Sequence, residues 1–300
     1  MEKISIGSGI SVLKNPKFPG CNSLLMENGK TTLVDTGLGI DQVRILMKEK
    51  RIDTLINSHT HPDHVAANHI VCNMSSAEIY IPEQEKGNTK SLETMKKNLG
   101  VSDKFVEPSW DEIVKDGMGF TESAREMTYG EGHIFDLGGI RLEAVHTPGH
   151  SPGHFCFLIR DENILFASDL GFDSFGPWYG YLNSDLGVYP ATIEKVRKKK
   201  IKRAVSSHHD DVFYDLDQEL DRCLHIINQR QERIVELLQE QPKTSGELAN
   251  FGIIYRNLPK FQNPMKDFLT FFEENMINEH LRILQESGRI TEEGGYYTVT

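Results

Sequence analysis

The chain has 300 residues and a mass of 34.1 kDa, which fits one large domain or a catalytic domain with a small appendage. Apolar residues at 38% and charged residues at 26% exclude a disordered or fibrous chain. The 44 acidic against 33 basic residues give a formal charge of −11, which repels phosphate backbones and argues against a general nucleic-acid binder.

The first residues lack an apolar core of signal-peptide length. No apolar run approaches the roughly 18 residues of a membrane helix, so a cytoplasmic, membrane-free protein is expected. Cys21, Cys72, Cys156 and Cys223 are widely spaced and never form a Cys-x-x-Cys pair, and free buried thiols are expected.

In chain order, residues 3–13 and 22–36 read as strands, the second interrupted by an Asn28-Gly29 hairpin signal. Residues 40–50 suit a helix, 53–59 a buried strand, 65–73 a helix and 78–82 a short strand. From 83 to about 132 the texture turns polar and helical, an excursion that reads as a lid or a contact surface. Strands resume and, with a helix at 190–200, run to about residue 213. Beyond it, 216–240 reads as one long amphipathic helix. Thr244 and Glu247 form a capping box opening a second helix, and a third follows Pro264 with a break expected near Asn275. A terminal hairpin around residues 292–295 completes a winged-helix layout. The chain is therefore expected to comprise a domain over 1–213 and a winged-helix-like domain over 214–300.

Twelve histidines are present, and their placement is uneven. Ser58-His59-Thr60-His61-Pro62-Asp63-His64 packs four potential metal ligands behind a buried strand. In an extended segment His59 and His61 share a face. Pro62 suits a first helical turn, from which Asp63 and His64 project toward a second point nearby. Two adjacent metals are thereby implied. A second cluster, His146-Thr147-Pro148-Gly149-His150-Ser151-Pro152-Gly153-His154, lies between two strands. Asp169 and the His208-His209 pair each follow a strand as well, which would collect the candidates along one edge of the sheets.

These runs, in this order over residues 3–213, resemble the metallo-β-lactamase superfamily, in particular its glyoxalase II- and lactonase-like hydrolases. The resemblance implies an α/β fold, an αββα sandwich. It implies His59, His61 and His150 on one metal, Asp63, His64 and His208 on the other, Asp169 bridging, and Asp35 orienting the ligand histidines. His150, after Thr-Pro-Gly, and His208, directly after Ser-Ser, occupy the family's ligand positions, whereas His146, His154 and His209 do not.

Nitrogen and oxygen donors without thiolate suit two zinc ions, and iron or manganese fits the same set. A hydroxide shared by two such ions is the expected nucleophile, with Asp63 and Asp169 holding it and moving its proton. A dinuclear metal-dependent hydrolase of a small ester, thioester or lactone is the expected activity. Phe172, Trp178, Tyr179 and Tyr181 read as an aromatic wall for the substrate.

Three departures bear on alternatives. Diiron redox relatives carry a carboxylate at the second motif histidine, where this chain has His61. Quorum-quenching lactonases usually carry a tyrosine a few residues after the bridging aspartate, where this chain reads Leu170-Gly171-Phe172-Asp173. Zinc β-lactamases are secreted, and no export signal is evident here. The catalytic domain plus tail also resembles members of the superfamily with nuclease activity, so a phosphodiesterase is the rival. Against it, residues 231–300 hold seven Lys/Arg and eleven Asp/Glu. The one basic run, Lys195 to Arg203, sits where cations favour a helix C-terminus. A ligand-binding protein with a degenerate site is a third reading, disfavoured by the complete ligand set. The tail is expected to brace the site or build a homodimer.

Overall fold

The computed structural model describes residues 2–15, 20–102, 106–263 and 265–300. Four antiparallel strands open the chain: β1 (Glu2–Gly7), β2 (Ile10–Lys14), β3 (Ser23–Asn28) and β4 (Lys30–Val34). The single strand expected over 3–13 is thus a hairpin. Gly9 turns it at φ +70°, a left-handed conformation that glycine adopts without steric cost.

The chain then alternates through α1 (Ile40–Glu49), β5 (Thr54–Ile56), α2 (Pro62–Val65), α3 (Asn68–Met74) and β6 (Glu78–Pro82). Strands β4, β5 and β6 run parallel, so their C-terminal ends meet at one edge. The following excursion contains α4 (Leu92–Leu99), α5 (Glu107–Asp111) and a π-helical turn at Glu112–Gly117. It is not wholly helical, because β7 (Met127–Tyr129) returns as a seventh, parallel strand beside β6.

The second sheet takes β8 (Ile134–Asp136), β9 (Arg141–His146), β10 (Phe155–Ile159), β11 (Ile164–Phe166), β12 (Arg203–Ser206) and β13 (His209–Phe213) in sequence order. Helix α6 (Tyr189–Arg197) carries the chain from β11 to its parallel neighbour β12. Because β10 is antiparallel to both β9 and β11, the C-terminal ends of β9, β11 and β12 also share one edge.

The period-two alternation of the strands builds the layers. Leu24, Met26, Phe155 and Phe157 pack between the two sheets. Leu25 and Leu33 face outward onto Val43, Leu46 and Ile70 of the first helical layer. Cys156, Leu158 and Leu165 face the other way, onto Ile193 and Val196 of α6. The result is an αββα sandwich.

After β13 come α7 (Leu216–Glu240), α8 (Ser245–Ala249), α9 (Met265–Glu286) and the hairpin β14 (Ile290–Glu293) and β15 (Tyr296–Val299). Asp215 caps α7 by accepting from the Gln218 N–H, and Thr244 and Glu247 cap α8 reciprocally. Pro264, which the sequence places ahead of the third helix, lies outside the described residues. That helix, α9, runs unbroken through Asn275, whose side-chain amide leaves the helix to donate to Gly180 O at 2.8 Å. Leu220, Cys223, Ile277 and Leu281 share one hydrophobic cluster with the outer face of the second sheet. The four cysteines are free, three of them buried and Cys72 partly exposed. No helix among the described residues is long and apolar enough to cross a membrane.

Candidate metal centre

Every candidate ligand follows a strand end on the shared edge. After β5, His59-Thr60-His61 stays extended, with His61 at φ −63°, ψ 146°, and Pro62 then opens α2. This switch from extended chain to helix sends His59 and His61 to one point and Asp63 and His64 to another. The turn after β9 delivers His150, with Gly149 at φ +133°, where a Cβ would lie 2.5 Å from the Tyr189 ring. Asp169 follows β11, and His208 lies between β12 and β13.

The donor atoms of His59, His61 and His150 lie within 4.8 Å of one another, as do those of Asp63, His64, Asp169 and His208. Asp169 lies between the sets. One of its oxygens, Oδ2, is 3.5 Å from His150 Nε2 and 3.1 Å from His208 Nε2, and the other, Oδ1, is 3.2 Å from His64 Nε2. Asp63 Oδ2 is 3.3 Å from His208 Nε2 and 3.6 Å from His64 Nε2. The His64 and Asp169 atoms are close but out of line for a hydrogen bond, so His64 Nε2, Asp169 Oδ1 and His61 Nε2 are buried without a hydrogen-bond partner. Unpartnered buried nitrogen and oxygen atoms aimed at common points suit a divalent cation, which needs lone pairs and no protons.

Electrostatics points the same way. Burial holds His59 and His61 well below the usual histidine value, and neighbouring imidazoles push further down. Burial also opposes charge on Asp169, yet His64 and His208 outweigh it and hold the carboxyl well below its usual range. At His64 burial is overcome by Asp169, and its value rises well above the ordinary one. His59 and His61 are thus neutral and Asp169 anionic, the forms in which these groups bind metals.

The outer supports are specific. Asp35, fully buried, accepts from His64 Nδ1 at 2.9 Å, from the Ser58 N–H at 2.8 Å and from Ser58 Oγ at 2.7 Å. His150 Nδ1 donates to Trp178 O at 2.8 Å, which turns its Nε2 lone pair toward His59. His146 instead bonds Pro152 O, and His209 stands beside Asp211, so neither joins the donor sets.

Two supports escape a reading of the sequence. Glu85, buried in the 3₁₀ turn after β6, accepts from the Thr60 N–H and Oγ1 with one oxygen and from Ser151 Oγ and the Gly153 N–H with the other. It ties the two histidine loops together. His154 Nε2 accepts from the Asp169 N–H at 3.1 Å, holding the backbone of the central carboxylate. Only position could have flagged them, since Glu85 follows a strand and His154 closes the second histidine run.

A cleft of about 750 Å³ opens beside the donors, lined by His61, Asp63, His150, Asp169 and His208. Of the four expected wall aromatics, Trp178 and Tyr181 line it, but Phe172 and Tyr179 do not. Phe172 packs on Phe213, and Tyr179 reaches into the interior to meet His280 at 2.7 Å. The apolar wall is completed by Tyr255, Phe268, Leu269 and Phe272 from the C-terminal region, none of which the sequence singles out. Met118 from the excursion also reaches the cleft.

A two-sheet sandwich with seven histidine and aspartate donors at one edge has the architecture and the donor chemistry of a divalent-metal α/β protein. The chain belongs to the metallo-beta-lactamase superfamily, whose profile matches residues 16–235. It is 26% identical over 234 residues to an atrochrysone carboxyl ACP thioesterase of Aspergillus fumigatus, 76% of this chain and 47% of that protein. A protein of the same name from Emericella nidulans is 24% identical over 94% of this chain and 79% of its own length. The chain thus spans about half of the first relative. Among solved structures, a metallo-beta-lactamase family protein of Thermus thermophilus shares the fold with a TM-score of 0.75 at 21% identity, over 97% of this chain and 99% of that one.

Proposed function

We propose that the protein is a dinuclear, zinc-dependent hydrolase that cleaves thioesters carrying a bulky apolar acyl group. The observation that carries this reading is the place of Asp169, whose carboxylate lies between two convergent donor sets at the floor of an apolar-walled cleft. His59, His61 and His150 would hold one ion and Asp63, His64 and His208 the other, with Asp169 shared. When bound, two divalent ions supply water of lowered pKa and a Lewis acid for the scissile carbonyl. The chain's own residues do the rest. Asp63 and Asp169 present carboxylates that accept and pass a proton at their Oδ atoms. Trp178 and Tyr181 hold the acyl group against the donors and exclude water. The region 214–300, read as a winged-helix-like domain, supplies the facing wall.

The thioester preference rests on the named thioesterases among the relatives and on the apolar wall. A nucleic-acid substrate is disfavoured by the cleft's other rim, which carries Asp173, Asp210 and Asp211. Four cations of the run from Lys195 to Arg203 are moreover paired: Lys195 with Glu131, Arg197 with Asp217 and Asp221, Lys199 with Glu143, and Arg203 with Glu162.

Metal analysis of the purified protein, with hydrolysis assays on an aryl thioester of a neutral thiol and on RNA, tests the proposal. Two equivalents of metal and thioester turnover with RNA intact are expected. RNA cleavage without thioesterase activity, or full activity of Asp169→Ala, would overturn it.

A further inference from the structure

The cleft loop that follows Asp169 lies along one face of α7. Arg222 donates to Gly171 O at 3.1 Å and Asp173 O at 2.6 Å. Ile226 stands where a Cβ on Gly176 would approach to 2.7 Å. Arg230 donates to Phe175 O at 2.6 Å, Pro177 O at 2.5 Å and Tyr179 Oη at 3.2 Å. These three residues follow one another at i, i+4 and i+8, so a single stripe of helix holds the loop throughout.

Arg230 is the unusual member. It is a cation only 6% exposed, its guanidinium 4.9 Å from the Phe175 ring centroid, and no salt bridge joins it to a carboxylate among the described residues. A buried charge spent on three oxygens of one loop is costly unless the loop's conformation matters. The loop's next element explains why. Trp178, between two of the anchored residues, accepts from His150 Nδ1 through its carbonyl, and its ring lines the cleft.

We propose that Arg230 is a positioning residue for the His150 side of the candidate centre. Its planar fork fixes residues 175–179, the fixed Trp178 carbonyl keeps the His150 proton on Nδ1, and the Nε2 lone pair stays aimed at the donor set. The C-terminal helical region is thereby part of the site's machinery and not only a wall. This inference rests on the metal-hydrolase reading above, and its test separates the two.

The test compares wild type, Arg230→Lys and, as a control, Lys243→Met, which removes another buried cation of the same region, one whose ammonium donates to Leu237 O and Gln241 O and to no residue of the cleft loop among the described residues. Lysine keeps the charge of Arg230 but cannot supply a rigid fork to three acceptors. Zinc affinity is measured by competition with a chromophoric chelator, and the His150 imidazole is followed by ¹⁵N NMR in metal-free protein. In Arg230→Lys one of two zinc ions is expected to bind about 10–100-fold more weakly, with the Nδ1-protonated signal of His150 lost to tautomer averaging. In Lys243→Met both readouts stay as in wild type even where the melting temperature falls. Wild-type zinc binding and an unchanged His150 signal in Arg230→Lys would overturn the proposal. So would equal weakening in Lys243→Met, or failure of Arg230→Lys to fold, either of which marks a purely structural cation. A wild type that binds no divalent ion would instead overturn the metal reading, and the ¹⁵N signal would still report on Arg230.

Discussion

Asp35 and His64 form a fully buried pair, Asp35 Oδ2 accepting from His64 Nδ1 at 2.9 Å. Asp35 stands at φ +63°, a left-handed conformation that aspartate and asparagine tolerate better than most residues. Asp35→Asn therefore keeps the backbone and removes the charge that orients His64. Zinc titration should show about 10–100-fold weaker binding of one ion, with a similar fall in kcat/KM. Wild-type affinity in this variant would mean that Ser58, whose Oγ lies 3.5 Å from His64 Nδ1, suffices to hold the ring.

Glu85 leads to a prediction about stability as well as activity. Its two oxygens accept from Thr60 on one loop and from Ser151 and Gly153 on the other. Glutamine offers a single acceptor and turns its NH₂ on donors that already point inward. Glu85→Gln should cost about 1–3 kcal/mol, read as a melting temperature lower by roughly 2–4 °C for each kcal/mol. Thioesterase activity should fall with it, because both histidine loops lose their shared anchor. An unchanged melting temperature would show that water replaces the lost bonds.

The contrast between these supports and the candidate ligands explains what can be read from the chain. His59, His61, Asp63 and His64 crowd into six positions behind a buried strand, so local spacing alone exposes them. Asp169 and His208 stand outside the histidine runs, and each is legible from its place just after a strand, together with the family pattern that puts a ligand after Ser-Ser. Glu85 has neither neighbour nor repeat, and its role exists only once two distant loops meet around it. In the loop after Asp169, composition shows aromatics but not their direction. Trp178 and Tyr181 face the cleft while Phe172 and Tyr179 point into the core, and no periodicity governs an irregular segment. Phe272 carries the periodicity of any packed helix and Tyr255 sits in an irregular turn, and neither pattern distinguishes a core from the wall of a cleft. The strand over 3–13 fails for a local reason, since Gly9 at φ +70° turns it into a hairpin, and the break near Asn275 fails because a side chain drawn to Gly180 O leaves the helix continuous.

The two-sided wall gives a prediction about substrate size. Trp178 Nε1 donates to Tyr255 Oη at 2.6 Å, fixing the indole against the C-terminal region. Tyr255→Phe leaves that N–H unpaired and frees the ring. KM for an aryl thioester should rise about 5–10-fold, the equivalent of one neutral hydrogen bond, while a short acetyl thioester that does not reach the wall is unaffected. Equal changes for both substrates would place the acyl group elsewhere.

His280 carries a prediction about pH. Its ring is fully buried, and Nε2 accepts from Tyr179 Oη at 2.7 Å because that hydroxyl already receives Arg230 as a donor. Burial, and then the Arg230 charge, push its pKa from 6.5 down to about 3. Between those values the unfolded chain binds a proton that the native state refuses. Stability is therefore fully present above pH 6.5 and falls as the pH drops toward 3, by up to about 1.4 kcal/mol per pH unit. His280→Asn has nothing to protonate, so its urea-unfolding free energy should decline less steeply than wild type across this window, even if it starts lower at neutral pH. Measured at matched pH values, the two profiles should converge as the pH falls from 6.5 to 4. Parallel profiles would show that His280 takes up its proton in the native state without penalty.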